Sequence, residues 1–233
     1  SWVWCRLGEI GKTQTGTTSD LWGPKMVRDP EGNVVYANGV PTYTSTNEYI
    51  GRTTPDWKAG ITNTVRYKNF RFTATLDGQW KGLIKSGSFQ RASWDGFTAA
   101  TIPGRDVGTI VGDGVMKDAN GNFVPNTQAV LTQTYYGQYY SHAADVAVFD
   151  ASFIKIRELA VAYSVPLNKG NGKHWIKTLT LNAYGRNLAV FDKNFPWYDP
   201  EAGMQNGQVF IQGAEMSPMP LTASFGFGLK ADF

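Results

Sequence analysis

The sequence has few of the residues that build disulfide or metal sites. Its 233 residues include one cysteine, Cys5, and two histidines, His142 and His174. A single cysteine excludes an intrachain disulfide framework and a zinc site of ordinary cysteine spacing. The two histidines fall in different predicted connections and lack the short spacing of a two-histidine metal site. We therefore predict that the chain has no metal and no cofactor.

Charge is scarce as well. Charged residues make up 18% of the chain, and 22 Lys and Arg against 19 Asp and Glu give a formal net charge of +3. No basic stripe is present, so nucleic acid is not an expected partner. Disorder is not expected either, because 42% of the residues are hydrophobic and 14% are aromatic, enough for much buried or interfacial surface.

Long hydrophobic runs are also missing. The longest uninterrupted apolar run has five residues, Leu159–Tyr163, whereas a transmembrane helix needs about 20. A membrane location stays open, because a strand of a transmembrane β-barrel needs only about 9–11 residues of alternating character.

Period-two alternation is the pattern that the sequence does contain. In the stretch FRFTATLDGQW, Phe70, Phe72, Leu76 and Trp80 share one face, and polar residues occupy the other. The same reasoning predicts six strands, at the opening stretch WVWCRLGEI and at residues 58–67, 70–80, 158–165, 178–191 and 221–233.

The connections between these strands alternate in length. Lys68-Asn69 and residues 166–177 are short, whereas residues 18–56, 81–150 and 192–217 are long. Short turns at one end and long loops at the other are the layout of an outer-membrane barrel, with the long loops extracellular. The predicted fold class is therefore all-β, an antiparallel transmembrane β-barrel. Six strands are fewer than the eight of the smallest bacterial barrels, so either the chain is part of a larger barrel, which we favour, or further strands escape detection.

The order of the loop and strand motifs resembles one family. EGNVVYANGVP (31–41) is followed by EYIGRTTPDWKAGITNTVRYKNF (48–70), DGVMKDANGNFVPNT (113–127) and YYGQYY (135–140). FDASFIKIRELAVAYSVP (149–166), YGRNLAVF (184–191), DPEAG (199–203) and a terminal strand ending on Phe233 then complete the series. This combination resembles the C-terminal barrel portion of SusC/RagA-type TonB-linked outer-membrane transporters of the Bacteroidota.

The resemblance implies a fold and a function. The chain would supply roughly the last six strands of a barrel of the 22-strand type, with the plug domain absent from residues 1–233. The transporter would take up oligosaccharides or peptides with a SusD-like surface lipoprotein as lid and with energy from TonB through the missing N-terminal region. Outer-membrane lipid and the barrel-assembly machinery would be further partners. No covalent chemistry is implied, so we predict that the chain is not an enzyme.

For two groups of polar residues, a catalytic role is the alternative to a structural one. Asp150, Lys155, Arg157 and Glu158 could form a catalytic cluster. A strand would place Glu158 on the face opposite Lys155 and Arg157, and pairing with neighbours and lumen groups is the simpler interpretation. Asp199 and Glu201 could act as a glycosidase pair, but adjacent carboxylates in a turn more often fix their own backbone. We therefore predict no catalytic residues.

Aromatic residues in the long connections are the candidate contact residues. Rings anchor interfaces and stack on ligands, so an interfacial girdle, lid contact and substrate contact all remain open for Trp94, Phe97, Tyr135, Tyr136, Tyr139, Tyr140, Trp197 and Tyr198. Tyr163 and Trp175, near a short turn, fit the inner aromatic girdle. Phe233 resembles the C-terminal aromatic that directs outer-membrane proteins to the barrel-assembly machinery, and is predicted to be an assembly signal.

A soluble all-β carbohydrate-binding or adhesin module is the alternative to a barrel. Such a module would need a second sheet to bury the apolar strand faces, whereas a barrel would leave them uncovered. The two hypotheses therefore differ in the burial of Phe72, Leu76, Leu181, Phe225 and Phe227.

Overall fold

A computed structural model describes residues 4–7, 20–167, 175–191, 193–197, 199–201, 204–206, 209–211, 213–217 and 221–233. The first strands are β1 (Trp4–Leu7), β2 (Asp20–Gly23), β3 (Val35–Ala37), β4 (Val40–Pro41), β5 (Glu48–Arg52), β6 (Trp57–Tyr67), β7 (Phe70–Trp80) and β8 (Leu83–Ser86). Helix α1 (Gly87–Trp94) and a 3-10 turn at Ala99–Thr101 follow. Next come β9 (Thr109–Val111), β10 (Val115–Lys117), β11 (Phe123–Pro125), β12 (Ala129–Leu131), helix α2 (Thr132–Ser141) and a 3-10 turn at Asp145–Ala147. The remaining strands are β13 (Val148–Asp150), β14 (Phe153–Pro166), β15 (Thr178–Phe191), β16 (Met204–Asn206), β17 (Val209–Ile211), β18 (Ala214–Glu215) and β19 (Ser224–Asp232).

The largest sheet confirms the predicted strands. It has six strands in the order β1-β6-β7-β14-β15-β19, which is also their order along the chain. Every neighbouring pair is antiparallel, so this is an up-and-down sheet. Short connections join β6 to β7 and β14 to β15 at one end, and the three long connections leave from the other end.

The alternation also predicts the two faces of the sheet correctly. Phe72 lies opposite Val65 on one side and Val161 on the other, while Thr73 lies opposite Thr64 and Ala160. The same alternation continues to β19, where Phe227 pairs with Ala183. We call the side that carries Phe72 the apolar face and the side that carries Thr73 the polar face.

Strand β14 begins five residues earlier than predicted, at Phe153. A β-bulge between Ile156 and Glu158 shifts its register against both neighbours. The bulge inserts Arg157 as an extra residue, so the period-two pattern is interrupted. Glu158 therefore lies on the polar face together with Lys155, and the prediction that it points to the opposite face is wrong.

The long connections contain regular structure of their own. Small sheets form between β11, β10, β3 and β4, between β12 and β9, between β13, β8 and β18, and between β2 and β5. We call residues 20–52, 83–150 and 213–217 the loop subdomain. A cluster of buried residues forms its core, including Met26, Val34, Phe89 and Ala147.

Helix α1 illustrates why these connections fold locally. Its N-cap Ser86 has an extended backbone, and the Ser86 Oγ accepts a hydrogen bond from the Phe89 amide at 3.0 Å, which satisfies one of the free amides of the first turn. Arg91 lies in the last turn, where a cation is favourable. Among the described residues, no helix is long and apolar enough to cross a membrane.

Candidate functional site

The apolar face of the large sheet is uncovered. The side chains of Phe72, Leu76 and Leu181 are 45%, 40% and 49% exposed, and those of Phe225 and Phe227 are 74% and 89% exposed. Within the described part of the chain no second sheet packs on this face. A soluble sandwich would bury these residues, so their exposure favours the barrel hypothesis over the soluble module.

Aromatic residues mark both ends of the apolar face. The rings of Trp57 and Trp80 stack at the end where the long connections begin, with centroids 6.4 Å apart. Phe70 and Tyr163 are in contact at the other end, with centroids 4.5 Å apart. The 11 residues of β7 separate the two ends. At about 3.4 Å per residue and a tilt near 45°, such a strand spans roughly 25 Å, the height of the apolar band in outer-membrane barrels.

The polar face is lined by hydroxyl and charged side chains. Thr62 and Thr75 are joined across β6 and β7 by a hydrogen bond of 3.1 Å, and Thr64 and Thr73 by one of 3.2 Å. Such threonine pairs satisfy each other across a sheet. Hydrophobic residues facing outwards and polar residues facing inwards are the arrangement of a barrel wall.

A buried ionic cluster joins the polar face to a loop. Lys155 is 1% exposed, and its Nζ lies 2.6 Å from Asp199 Oδ2 and 2.7 Å from Glu201 Oε2. The Arg157 guanidinium pairs with Asp77 at 2.6 Å and with Glu201. Lys155 and Arg157 therefore share Glu201 as a partner. Ion pairs within the chain thus engage both cations, in keeping with a structural role.

Asp199 and Glu201 are engaged in structure. Asp199 Oδ1 accepts the Glu201 amide at 3.0 Å, as expected for a turn that fixes its own backbone. Asp199 Oδ2 and Glu201 Oε2 both accept hydrogen bonds from Lys155 Nζ. Both carboxylates are thus held by cations, which leaves neither positioned as the free acid and base that hydrolysis of a glycoside needs.

The four tyrosines of YYGQYY lie on helix α2. Tyr135, Tyr136 and Tyr140 are buried and Tyr139 is half-buried in the core of the loop subdomain. The Tyr135 and Tyr36 hydroxyls are 3.1 Å apart, and their rings stack. The structure therefore places these predicted contact residues in a core. Tyr136 and Tyr140 are four residues apart, so the two rings lie on the same side of the helix.

Burial changes the acidity of these phenols. It raises the pKa of Tyr135 and Tyr139 above the ordinary value, and raises the pKa of Tyr140 to about 12. The cause is desolvation, which disfavours the charged phenolate.

The tryptophans of the predicted set are more accessible. Trp94 is 43% exposed at the end of α1, with the Arg91 guanidinium 4.2 Å above its ring. Trp197 is 41% exposed and stacks on Phe89 at 4.8 Å. Both remain available for contact with a ligand or partner. Tyr198 lies outside the described residues.

Two Asp-to-Asn turns have the same geometry. Asp29 Oδ1 accepts the amides of Glu31 and Asn33, and Asp118 Oδ1 accepts those of Asn120 and Asn122. The pKa of the Asp29 carboxyl is lowered most by the Asn33 side-chain amide, which donates to Oδ2 at 2.9 Å, and the pKa of the Asp118 carboxyl is lowered most by the Asn122 backbone amide. Among the described residues, no group of three or more His, Cys, Asp and Glu side chains is arranged to hold a metal ion.

Phe233 lies at the end where the short connections are found. Its ring is 64% exposed and contacts Trp175 at a centroid distance of 5.2 Å. Its carbonyl oxygen accepts a hydrogen bond of 3.1 Å from Lys177 Nζ. Phe233 and Trp175 therefore form one aromatic group near the Phe70–Tyr163 end of the apolar face.

A cleft of about 680 Å³ opens in the loop subdomain, and sequence reasoning missed it. Residues from five separate segments line it, including Trp22, Lys85, Arg91, Trp94 and Ala214. No sequence pattern indicates that these segments meet, because hydrogen bonds between them span up to 129 residues of sequence. The four-residue spacing of the tyrosines, by contrast, is a signal that could have identified α2.

Comparison with known proteins supports the resemblance. No family model matches the chain. The chain is 26% identical over 221 residues to TonB-dependent receptor P3 of Formosa agariphila, an alignment that covers 91% of this chain and 19% of the relative. The resemblance to TonB-linked transporters is thereby confirmed.

Solved structures agree on the fold. The RagAB peptide importer in its closed-closed state matches with a TM-score of 0.60 over 95% of this chain and 25% of the matched chain, at 16% identity. Its open-open state matches with a TM-score of 0.59. The all-β, partial-barrel fold is thus confirmed. The chain spans about a fifth to a quarter of the length of these relatives, whose names describe a receptor and importers rather than enzymes.

Proposed function

We propose that this chain forms part of the wall and the extracellular loops of an outer-membrane importer for oligosaccharides or peptides. The observation that carries the proposal is the uncovered apolar face between two aromatic ends. In lipid, the backbone N–H and C=O groups of a strand must form hydrogen bonds with neighbouring strands. The four inner strands of the six-stranded sheet have such a neighbour on each side.

The orientation of the chain follows from its connections. The long connections that hold the loop subdomain would lie outside the cell, and the short turns, including Lys68-Asn69, would face the periplasm. The ranges 18–56, 81–150 and 192–217 are thus proposed to be extracellular, and the plug is proposed to belong to a part of the protein outside these 233 residues.

The partners follow from the same proposal. A SusD-like lipoprotein would cover the extracellular loops, and exposed Trp94 and Trp197 are candidates for contact with the lipoprotein or with cargo. TonB would act through the plug region. Phe233 would be the signal that directs the protein to the barrel-assembly machinery. The apolar face would contact outer-membrane lipid. The presence of "RagAB peptide importer" among the structural relatives and of a TonB-dependent receptor among the sequence relatives supports this assignment.

Uptake by cells tests the proposal. Cells with and without the full-length protein are supplied with mixed oligosaccharides and peptides, and depletion of each from the medium is followed with and without a proton uncoupler. We expect uptake that requires both the protein and the proton gradient. Equal depletion in cells that lack the protein would contradict the proposal.

A further inference from the structure

We propose that the cleft of the loop subdomain binds a short extended peptide that carries a carboxylate, by addition to the free edge of strand β18. The inference rests on the proposed function only in treating that peptide as cargo, because binding itself is measured separately from uptake.

The edge of β18 supplies the backbone contact. β18 pairs in parallel with β8, with Ala214 opposite Lys85, and the Lys85 amide donates to the Gly213 carbonyl at 2.8 Å. In such a ladder Lys85 bonds to the residues on either side of Ala214, so the N–H and C=O of Ala214 point away from β8. No strand within the described ranges covers that side. An extended peptide can take both bonds, as in other cases of strand addition.

A hydrogen-bond network holds this edge in place. The Glu215 carboxylate is 1% exposed and accepts hydrogen bonds from the hydroxyls of Ser86 and Ser88. Ser86 caps α1, and Ser88 Oγ accepts the Ser217 amide at 2.6 Å. The edge strand is therefore fixed to the first turn of α1 at Glu215 and at Ser217. A preorganised edge reduces the ordering cost of binding.

Two tryptophans supply apolar walls. Trp22 is 60% exposed and Trp94 is 43% exposed, and both line the cleft. Indole rings bind apolar side chains over a large, rigid area. The cleft volume of about 680 Å³ lies within the range of ligand sites.

Lys85 supplies the charge. It lines the cleft and makes no ion pair within the described part of the chain, whereas Arg91 is paired with Asp95 at 2.8 Å. Glu215 is engaged by the two serine hydroxyls. The unpaired ammonium thus favours a ligand carboxylate, since charge-assisted hydrogen bonds are stronger than neutral ones.

The test uses three related peptides and the full-length protein in detergent. Calorimetry measures binding of Ac-Ala-Leu-Ala-Glu, of the same peptide with backbone N-methyl groups, and of its uncharged amide analogue Ac-Ala-Leu-Ala-Gln-NH2. We expect N-methylation to weaken binding about tenfold, because it removes the peptide N–H that donates to the Ala214 carbonyl. Lys85→Gln should weaken the acidic peptide about tenfold and leave the amide analogue unchanged.

Matched variants complete the design. Lys117→Gln removes a lysine of the loop subdomain that does not line the cleft, and should bind all three peptides as the parent protein does. Trp94→Ala should weaken both unmethylated peptides. Equal binding of the parent and N-methylated peptides, or unchanged binding of the acidic peptide to Lys85→Gln, would overturn the proposal. So would a Lys85→Gln variant that releases a lipoprotein partner while peptide affinity stays the same.

Failure of the site and failure of the proposed function give different results. Energised peptide uptake that Lys85→Gln and Trp94→Ala leave unchanged would reject the cleft as the cargo site and retain the importer. Peptide binding as expected, without energised uptake by the full-length protein, would retain the site and reject the importer.

Discussion

Lys155 donates through Nζ to Asp199 Oδ2 at 2.6 Å, across 44 residues of sequence. This bond joins a strand of the large sheet to the loop that carries Trp197, and Trp197 stacks on Phe89 of α1. The barrel wall and the loop subdomain are thus connected through one buried lysine and one aromatic contact.

Removing that lysine should destabilise the protein. Lys155→Met leaves the carboxylates of Asp199 and Glu201 close together without their shared cation, and the loss of one partner of a buried pair costs about 3 kcal/mol. Denaturant unfolding of the full-length protein in detergent measures the change. Lys81→Met is the control, because Lys81 pairs with Asp56 at an exposed position and should cost about 1 kcal/mol or less. Equal losses in the two variants would contradict the role of Lys155.

A charge on the apolar face should impair insertion. Leu76→Arg places an arginine on the face that carries Phe72, in the middle of the 11-residue strand β7, at a cost of about 2–4 kcal/mol near the bilayer midplane. Thr75→Arg is the matched control, because Thr75 lies beside Leu76 in β7 but on the polar face. Folding into lipid vesicles, followed by the mobility of the unheated protein on gels, should be reduced for Leu76→Arg alone. Equal folding of both variants would argue against a lipid-facing surface.

Alkaline pH should unfold the loop subdomain. The folded state holds phenol protons that the unfolded state releases near pH 10, so stability is complete below about pH 10. It should fall as pH rises towards the folded-state pKa of Tyr140, about 12. Absorbance of tyrosinate should show several late-titrating groups, and Tyr140→Phe should remove one of them. Titration of all tyrosines in one step near pH 10 would contradict their burial.

Phe233 should affect assembly more than transport. Phe233→Ala removes the ring that contacts Trp175, and we expect several-fold less protein in the outer membrane with unchanged uptake per inserted molecule. Phe227→Ala is the control, because Phe227 is also exposed on the apolar face of β19. Quantitative surface labelling measures both variants. Normal levels of Phe233→Ala, or an equal loss for Phe227→Ala, would reject the assembly signal.

The large sheet was predictable from the sequence because its information is local. Phe70 to Trp80 alternate without interruption, and Lys68-Asn69 is short enough to define the hairpin. Alternation fails at Arg157, where the bulge adds one residue, so Glu158 was assigned to the wrong face. A bulge leaves no signal in a single sequence, since the extra residue is defined by its partners.

The loop subdomain was less predictable for a different reason. The core that buries Tyr135 and Tyr140 combines residues from Met26 to Phe149, and short strands and turns carry little periodicity. Aromatic residues in long connections suggested contact surfaces, but three of the tyrosines fill the core instead. Only when distant segments are brought together do Trp22 and Trp94 line one cleft.

Labelling in intact cells tests the membrane topology most directly. In a background from which Cys5 and any other cysteine of the full-length protein have been removed, Ala119→Cys places a thiol in the exposed turn of the loop subdomain, and Asn69→Cys places one in the β6–β7 turn. A membrane-impermeant maleimide should label Ala119→Cys in intact cells, and should label Asn69→Cys only after the outer membrane is permeabilised. Labelling of Asn69→Cys in intact cells, or protection of Ala119→Cys, would contradict an outer-membrane barrel with the loop subdomain outside.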